Sequence, residues 1–204
     1  MSQLYEPRRT ALLMVDPYND FMTEGGKLFD AINQTATDSG MYEHLRQLLP
    51  AVRSRNSRVF IVPHHRSEPG DFSGWRHVNP FQAAGIPVKA FEKGTWGGEF
   101  NEEFGPQLGD VIVKEHWAQS GFANTDLDFL LKQHSIEYLI LVGLIANSCI
   151  ESTARFGMEL GYHVTLVTDA TAAFSSDGMK AAATNAPMFA HAILSTAELL
   201  NALN

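Results

Sequence analysis

Three residues that can cooperate in covalent catalysis follow short apolar runs of the sequence. Asp16 follows TALLMV, Lys114 follows VIV, and Cys149, the chain's single cysteine, comes shortly after YLILV. A thiol attacks a carbonyl carbon once a base removes its proton, and an acid must later protonate the leaving group. A carboxylate can do both when a nearby cation holds its charge and position. We therefore expect Asp16, Lys114 and Cys149 to form one catalytic centre.

Each of these residues also has a purely structural explanation. Buried cysteines often only pack, an Asp before a Pro often only makes a turn, and a lysine at a strand end can extend to solvent. The combination of an acid, a cation and a thiol indicates chemistry more strongly than any one of the three residues does.

The local sequence around Cys149 predicts an activated thiol. The segment CIESTARFGMEL has a helical pattern, with Asn147 or Ser148 as N-cap and Gly161 as its end. A helix N-terminus stabilises negative charge, so we expect an acidic, thiolate-rich Cys149. The free amides of the same turn could stabilise an oxyanion.

The apolar runs predict the elements that position these residues. Runs rich in Val, Ile and Leu are typical of strands buried on both faces of a parallel sheet. They lie at 10–15, 58–62, 111–113, 138–142, 163–167 and 189–194. Helical patterns lie at 41–55, 124–134, 148–160, 178–188 and 196–203. This alternation predicts one doubly wound α/β domain over 1–204, with a mainly parallel six-stranded sheet and helices on both faces.

The predicted topology brings the three residues to one place. Ligands of such sheets bind at the carboxyl ends of the strands, and Asp16, Lys114 and Cys149 all follow strand ends. The stretches 17–40 and 64–110 break the alternation and are rich in Gly, Pro and aromatic residues. We expect them to be functional loops.

Composition excludes several classes of partner. The 204 residues carry a net charge of −8 with no Lys/Arg stripe, which argues against nucleic acid. No apolar run approaches the roughly 18 residues of a membrane span, and the N-terminus resembles no signal peptide, so we expect a cytoplasmic protein without a membrane partner. Dinucleotide and phosphate-loop motifs are absent from the sequence, and we expect no cofactor.

Four segments resemble a known family. They are LLMVDPYNDF (12–21), VIVKEHWAQSGFANTDLDFLL (111–131), LILVGLIANSCIESTARFGMELGYHV (139–164) and VTDATAAF (167–174). Together and in this order they resemble the isochorismatase-like cysteine hydrolases, which include nicotinamidases, N-carbamoylsarcosine amidases and ureide amidases. The likeness extends over nearly the whole chain.

The resemblance implies a mechanism and its residues. Asp16, Lys114 and Cys149 would be the triad of a hydrolase that cleaves a C–N bond of a small amide or ureide through a thioester. It also implies a cis peptide bond at Leu144–Ile145 and an oxyanion hole formed by the backbone amides of Ile145 and Cys149. Members usually assemble, so we expect a homodimer or homotetramer.

The loops supply candidates for binding the small-molecule substrate. We expect Phe21, Trp117 and Phe122 to wall the pocket, the latter two because they follow Lys114 closely in the chain. His65 is a candidate for binding a substrate carboxylate.

Two departures from the family pattern matter. Tyr18 stands where many members have Gln, and Pro63 stands where nicotinamidases have the carboxylate of a metal site. His65 and His77 remain, but two histidines without an acid make a weak metal site, so we expect a metal-free enzyme and not a nicotinamidase.

Three other functions remain open at this point. An isochorismatase-type vinyl-ether hydrolase needs the acid and the cation but no thiol nucleophile. A non-enzymatic binding member of the same fold would need none of the three residues. A redox-sensing thiol would usually need a resolving partner, which a single cysteine does not provide.

Overall fold

A computed structural model describes residues 4–203, and its centre is a six-stranded sheet with every neighbouring pair parallel. The strand order is β3-β2-β1-β4-β5-β6, so the chain winds outward from β1 in both directions, as predicted. The strands are β1 (Thr10–Val15), β2 (Arg58–Val62), β3 (Val111–Ile112), β4 (Tyr138–Leu144), β5 (His163–Ala172) and β6 (Ala192–Leu194).

Helices cover both faces of the sheet. Among residues 4–203 they are α1 (Asn19–Met22), α2 (Phe29–Ser39), α3 (Met41–Ser54), α4 (Pro80–Gly85), α5 (Leu127–Gln133), α6 (Glu151–Glu159), α7 (Ser176–Asn185) and α8 (Thr196–Leu203). Side chains of β1 alternate between two cores: Leu12 and Met14 pack in one, Leu13 and Val15 in the other. Strands buried on both faces explain the unbroken apolar runs of the sequence. No helix in the described part of the chain has both the length and the apolar character needed to cross a membrane.

The stretch 17–40 differs from its prediction as a loop, since it contains α1 and α2. Only Ile32, Thr35 and Ala36 of α2 are buried, and most of the other residues of the helix are polar. So narrow an apolar stripe gives a weak periodic signal, and packing against the core supplies the stability that the local pattern does not indicate. The stretch 64–110 is mostly irregular, as predicted, apart from α4 and one short 3-10 turn.

Candidate active site

Asp16 lies at the carboxyl end of β1, fully buried. Its φ of 57° is in the left-handed region, where Asp is one of the few non-glycine residues found. Beside it, Gly143 of β4 has φ 104°, and a Cβ there would lie 2.4 Å from the Val15 carbonyl oxygen. Only glycine permits β4 to pass β1 so closely at the strand end where Asp16 is placed.

His116 is the side chain that contacts Asp16. Its Nε2 lies 3.0 Å from Asp16 Oδ1, and its Nδ1 lies 3.0 Å from the Ala118 carbonyl oxygen. The backbone of His116 is fixed by hydrogen bonds to the segment after β2: its N–H donates to the Pro63 carbonyl, and its own carbonyl accepts from the His65 N–H. Both ring nitrogens face oxygen acceptors, and only a doubly protonated imidazolium can donate from both. The ring is thus held between two oxygen atoms.

Cys149 completes the cluster from the other side of β1. It lies in a single π-helical turn, Ala146–Ile150, between β4 and α6, and is buried. Its Sγ, a carboxylate oxygen of Asp16 and a ring nitrogen of His116 all lie within 4.8 Å of one another. We call Asp16, His116 and Cys149 the Asp16 cluster. The peptide bond Leu144–Ile145 is cis, so that expectation is confirmed.

The thiol of Cys149 is not acidic, contrary to the expectation from sequence. Burial raises its pKa well above the ordinary value, and the negative charge of Asp16 raises it further, whereas the Ile145 N–H and the Ser148 hydroxyl oppose the shift. The expectation assumed a thiol at the first turn of a long helix. Because α6 begins only at Glu151, after the π turn, the helix terminus does not outweigh the effect of burial.

Lys114 does not belong to this cluster. Its side chain is exposed, and its backbone N–H donates to Asp126 Oδ1. Within residues 4–203, no hydrogen bond or ion pair joins its ammonium to Asp16. Strand β3 ends at Ile112, so the alternation of a regular strand does not continue through this segment. The buried positions that follow are Val113 and His116. The signal for this residue in the sequence is a histidine three residues after the VIV run ends, whereas the prediction placed the nearer lysine at the site.

A cavity of about 290 Å³ opens beside the Asp16 cluster. Asp16 and Cys149 line it together with His64, His65, Ser67 and Asp71, and the remaining wall is mostly apolar. The larger apolar side chains of the wall are Phe21, Leu28, Phe72, Phe81, Ile86, Val88, Phe91 and Phe174. Phe81, Phe91 and Phe174 were not among the residues predicted to bind substrate.

The four predicted substrate residues have different positions. Phe21 and His65 line the cavity. Trp117 lies behind it and stacks on the His65 ring, with centroids 3.7 Å apart. Phe122 is wrongly predicted, since it is buried in the core on the other side of the sheet and packs against Phe156. Its assignment depended on the position of Lys114, which the structure places elsewhere.

A second group of ionisable residues lies at the edge of the cavity. We call His65, Arg66, Asp71 and Glu115 the Glu115 cluster. His65 Nε2 lies 2.9 Å from Asp71 Oδ2, and Arg66 Nε donates to Glu115 Oε1 over 2.7 Å. Burial opposes ionisation of Glu115, but hydrogen bonds from His65 and Arg66 outweigh it and lower its pKa to about 2. Burial likewise opposes the charge on His65, yet its bonds to Glu115 and Asp71 raise its pKa.

The donor sets suit a metal poorly. Asp16, His116 and Cys149 offer the ligand types of a zinc site, but His116 Nε2 lies 3.0 Å from Asp16 Oδ1, a hydrogen bond that a metal would have to replace. His77 is exposed, and His65 is bonded to Asp71 and Glu115. A metal-free enzyme stays a prediction.

The fold and the site together define a class of hydrolase. Residues 10–198 match the isochorismatase domain family, and the chain belongs to that family of hydrolases.

Three named proteins are similar to this chain. The chain is 28% identical over 177 residues to ureidoacrylate amidohydrolase RutB of Pantoea ananatis, a match covering 82% of this chain and 70% of that protein. It resembles the structure of a cysteine hydrolase from Pseudomonas syringae pv. phaseolicola with a TM-score of 0.79 and 27% identity, over 100% of this chain and 98% of the other. N-carbamoylsarcosine amidase of Thermoplasma acidophilum matches with a TM-score of 0.67 and 25% identity, covering 92% and 96% of the two chains.

Proposed function

We propose that this protein hydrolyses a C–N bond of a small amide or ureide through a thioester on Cys149. The supporting observation is the buried thiol that lies within 4.8 Å of a carboxylate and an imidazole, at the wall of a cavity of small-molecule size. The relatives named as amidohydrolase and amidase support the same class of bond.

Acylation uses Asp16 as both base and acid. Asp16 accepts the proton of the Cys149 thiol as the sulfur attacks the carbonyl carbon, and the C–S bond forms while the carbonyl oxygen becomes an oxyanion. The backbone N–H groups of Ile145 and Cys149 stabilise this oxyanion. When the C–N bond breaks, Asp16 returns the proton to the departing nitrogen, which leaves as ammonia or an amine.

Deacylation repeats the proton transfers with water. Asp16 takes a proton from a water molecule, the hydroxide oxygen attacks the thioester carbon, and the C–S bond breaks. The sulfur leaves as thiolate and recovers the proton from Asp16, so the thiol and the carboxylate are both regenerated as the acid departs.

His116 takes the part that the resemblance gave to Lys114. As an imidazolium bonded to Asp16 Oδ1, it keeps that carboxylate charged and leaves Oδ2, which has no hydrogen-bond partner among the described residues, to face the thiol and substrate. The raised pKa of Cys149 fits this scheme, because a resting thiol requires the base that Asp16 provides.

Ammonia release from a panel of small amides and ureides tests the proposal. Wild-type protein should release ammonia and carry a transient acyl adduct on Cys149 that intact-protein mass spectrometry detects. Cys149→Ala should lose at least about 10⁴-fold in turnover. Ser152→Ala, a surface hydroxyl of α6, is the matched control and should retain activity. Undiminished turnover in Cys149→Ala would instead favour chemistry without a thiol, such as vinyl-ether hydrolysis.

A further inference from the structure

The cavity beside Cys149 is built for an uncharged, apolar group. Five phenylalanines and several aliphatic side chains form most of its wall, and no Lys or Arg is among the described residues that line it. Its volume of about 290 Å³ is at the small end of ligand pockets, which begin at about 300 Å³. A ring or a branched alkyl group would be desolvated there at little cost, whereas a carboxylate would not.

The charged groups at the edge of the cavity are already paired with one another. The guanidinium of Arg66 is paired with the carboxylate of Glu115, and His65 is bonded to both Asp71 and Glu115. The remaining carboxylate, that of Asp16, is bonded to His116. An anionic substrate would therefore find no free cation in the cavity and would face the carboxylates of Asp16 and Asp71.

Among the described residues that line the cavity, three buried side-chain atoms have no hydrogen-bond partner: Asp16 Oδ2, Ser67 Oγ and His64 Nε2. The chemical character of His64 Nε2 is fixed by the rest of its ring. His64 Nδ1 lies 2.9 Å from the His65 carbonyl oxygen, to which it donates, so Nε2 carries the lone pair. Burial, followed by the neighbouring His116, lowers the pKa of His64 to about 4, so the ring is neutral near pH 7. His64 Nε2 is buried with no hydrogen-bond partner within residues 4–203.

The position of the His64 ring is fixed by its neighbours. Its centroid lies 5.5 Å from that of Phe91 and 5.1 Å from that of His116. The hydroxyl of Tyr18, which stands where many family members have Gln, donates to the His64 carbonyl over 2.7 Å. A held ring with a buried, unused acceptor is suited to bind a donor on the ligand.

The next inference rests on the amide or ureide hydrolysis proposed above. We propose that the substrate is uncharged and carries a branched or cyclic apolar group, which packs among the phenylalanines. An N–H of its amide or ureide donates to His64 Nε2, which makes His64 a positioning residue for the scissile bond. Each methylene that the cavity buries should raise kcat/KM by about fourfold.

Two isosteric amides test the apolar pocket. Isovaleramide and malonamate differ in having an isopropyl or a carboxylate group at the same place. We expect ammonia release from isovaleramide to have a kcat/KM at least about 100-fold higher than from malonamate. Phe174→Ala, at an exposed part of the cavity wall, should lower kcat/KM for isovaleramide about tenfold, while Phe129→Ala, also exposed but on α5 and outside the cavity lining, should not.

Binding to Cys149→Ala separates this inference from the proposed hydrolysis. Calorimetry should detect isovaleramide and not malonamate. Equal or tighter binding of malonamate, or binding of neither, would overturn the apolar pocket whatever the enzyme hydrolyses. Preferential binding of isovaleramide without turnover of any amide by wild type would support the pocket and overturn the hydrolysis.

The role of His64 has its own readout. In the Cys149→Ala background, isovaleramide should bind about tenfold more tightly than N,N-dimethylisovaleramide, which has no N–H to donate. Adding His64→Phe should remove that difference, and His64→Gln, whose amide oxygen can accept, should restore part of it. If the His64 ring served only the fold, His64→Phe would weaken the binding of both amides equally, and the ratio of their affinities would stay at tenfold. That result would overturn the assignment.

Discussion

Two clusters of ionisable side chains meet at neighbouring residues, Glu115 and His116, and they differ in how completely they are paired. In the Glu115 cluster, the carboxylates of Asp71 and Glu115 each bond to a cation, and the members are partly exposed. In the Asp16 cluster, Asp16 and His116 are fully buried, and Asp16 Oδ2 has no hydrogen-bond partner among the described residues.

The difference indicates separate purposes. A paired, partly exposed network contributes modest stability and holds a loop in place. A buried group with unused bonding capacity destabilises the fold, so it is retained where it meets a ligand. The two clusters should therefore respond oppositely to substitution: the Asp16 cluster through activity and the Glu115 cluster through stability.

Replacing the acid of the Asp16 cluster should have the largest effect. Asp16→Asn keeps the side-chain shape but removes the proton acceptor, so turnover should fall at least about 10³-fold while the protein stays folded. Steady-state kinetics beside a thermal melt would measure both. Asp128→Asn, on α5 and not among the residues that line the cavity, is the matched control and should retain most activity. Wild-type turnover in Asp16→Asn would show that another group is the base.

Replacing His116 should have the second-largest effect on turnover. His116→Ala should lower kcat by about 10²-fold, since Asp16 loses the partner that holds its charge and orientation, and His116→Lys should recover part of the loss. Lys114→Ala should stay within about twofold of wild type. Kinetics of the three variants decide between the cations, and a larger loss in Lys114→Ala than in His116→Ala would return the role to the lysine.

Alkylation distinguishes a buried thiol from an activated one. Because the pKa of Cys149 is raised, iodoacetamide should modify it at pH 7 at least about tenfold more slowly than free cysteine, and the rate should climb as pH rises. Activity should disappear in step with labelling, followed by mass spectrometry. Faster labelling than free cysteine would mean that the thiolate predominates in the resting enzyme.

Substitution of Glu115 should change the free energy of unfolding and not the turnover. The pKa of Glu115, about 2, lies below its ordinary 4.5, so the ionised form stabilises the fold above about pH 4.5, and this is lost as the pH falls towards 2. Glu115→Gln should lower the free energy of unfolding by about 1 kcal/mol at pH 7. Urea titrations at pH 7, 4.5 and 3 should show the difference from wild type shrinking.

Treatment with a chelator should have the smallest effect on turnover. Dialysis against EDTA should leave turnover unchanged, because His116 Nε2 is committed to Asp16 and the oxyanion can rest on backbone amides. Loss of activity that one equivalent of zinc, manganese or iron restores would contradict this.

The parts of the site that could be predicted are those tied to strand ends. Asp16 follows β1 directly, and Cys149 follows β4 by a short turn, so their proximity is a consequence of the parallel sheet. Phe21 and His65 also line the cavity, and their roles in substrate binding stay predictions. Lys114 and Phe122 were misplaced because β3 is only two residues long, and the chain after it follows no strand periodicity.

The sequence by itself determined the sheet, its parallel order and two members of the central cluster, because apolar runs and the residues that end them are local features. Only the tertiary structure decided that His116 and not Lys114 meets Asp16, that burial leaves Cys149 protonated, and that the cavity lacks a free cation. Those outcomes depend on which side chains the long loop 64–110 and the segment after β3 bring together. These three outcomes depend on distances between residues that are far apart in the chain and on how deeply each group is buried. A local sequence pattern contains neither kind of information.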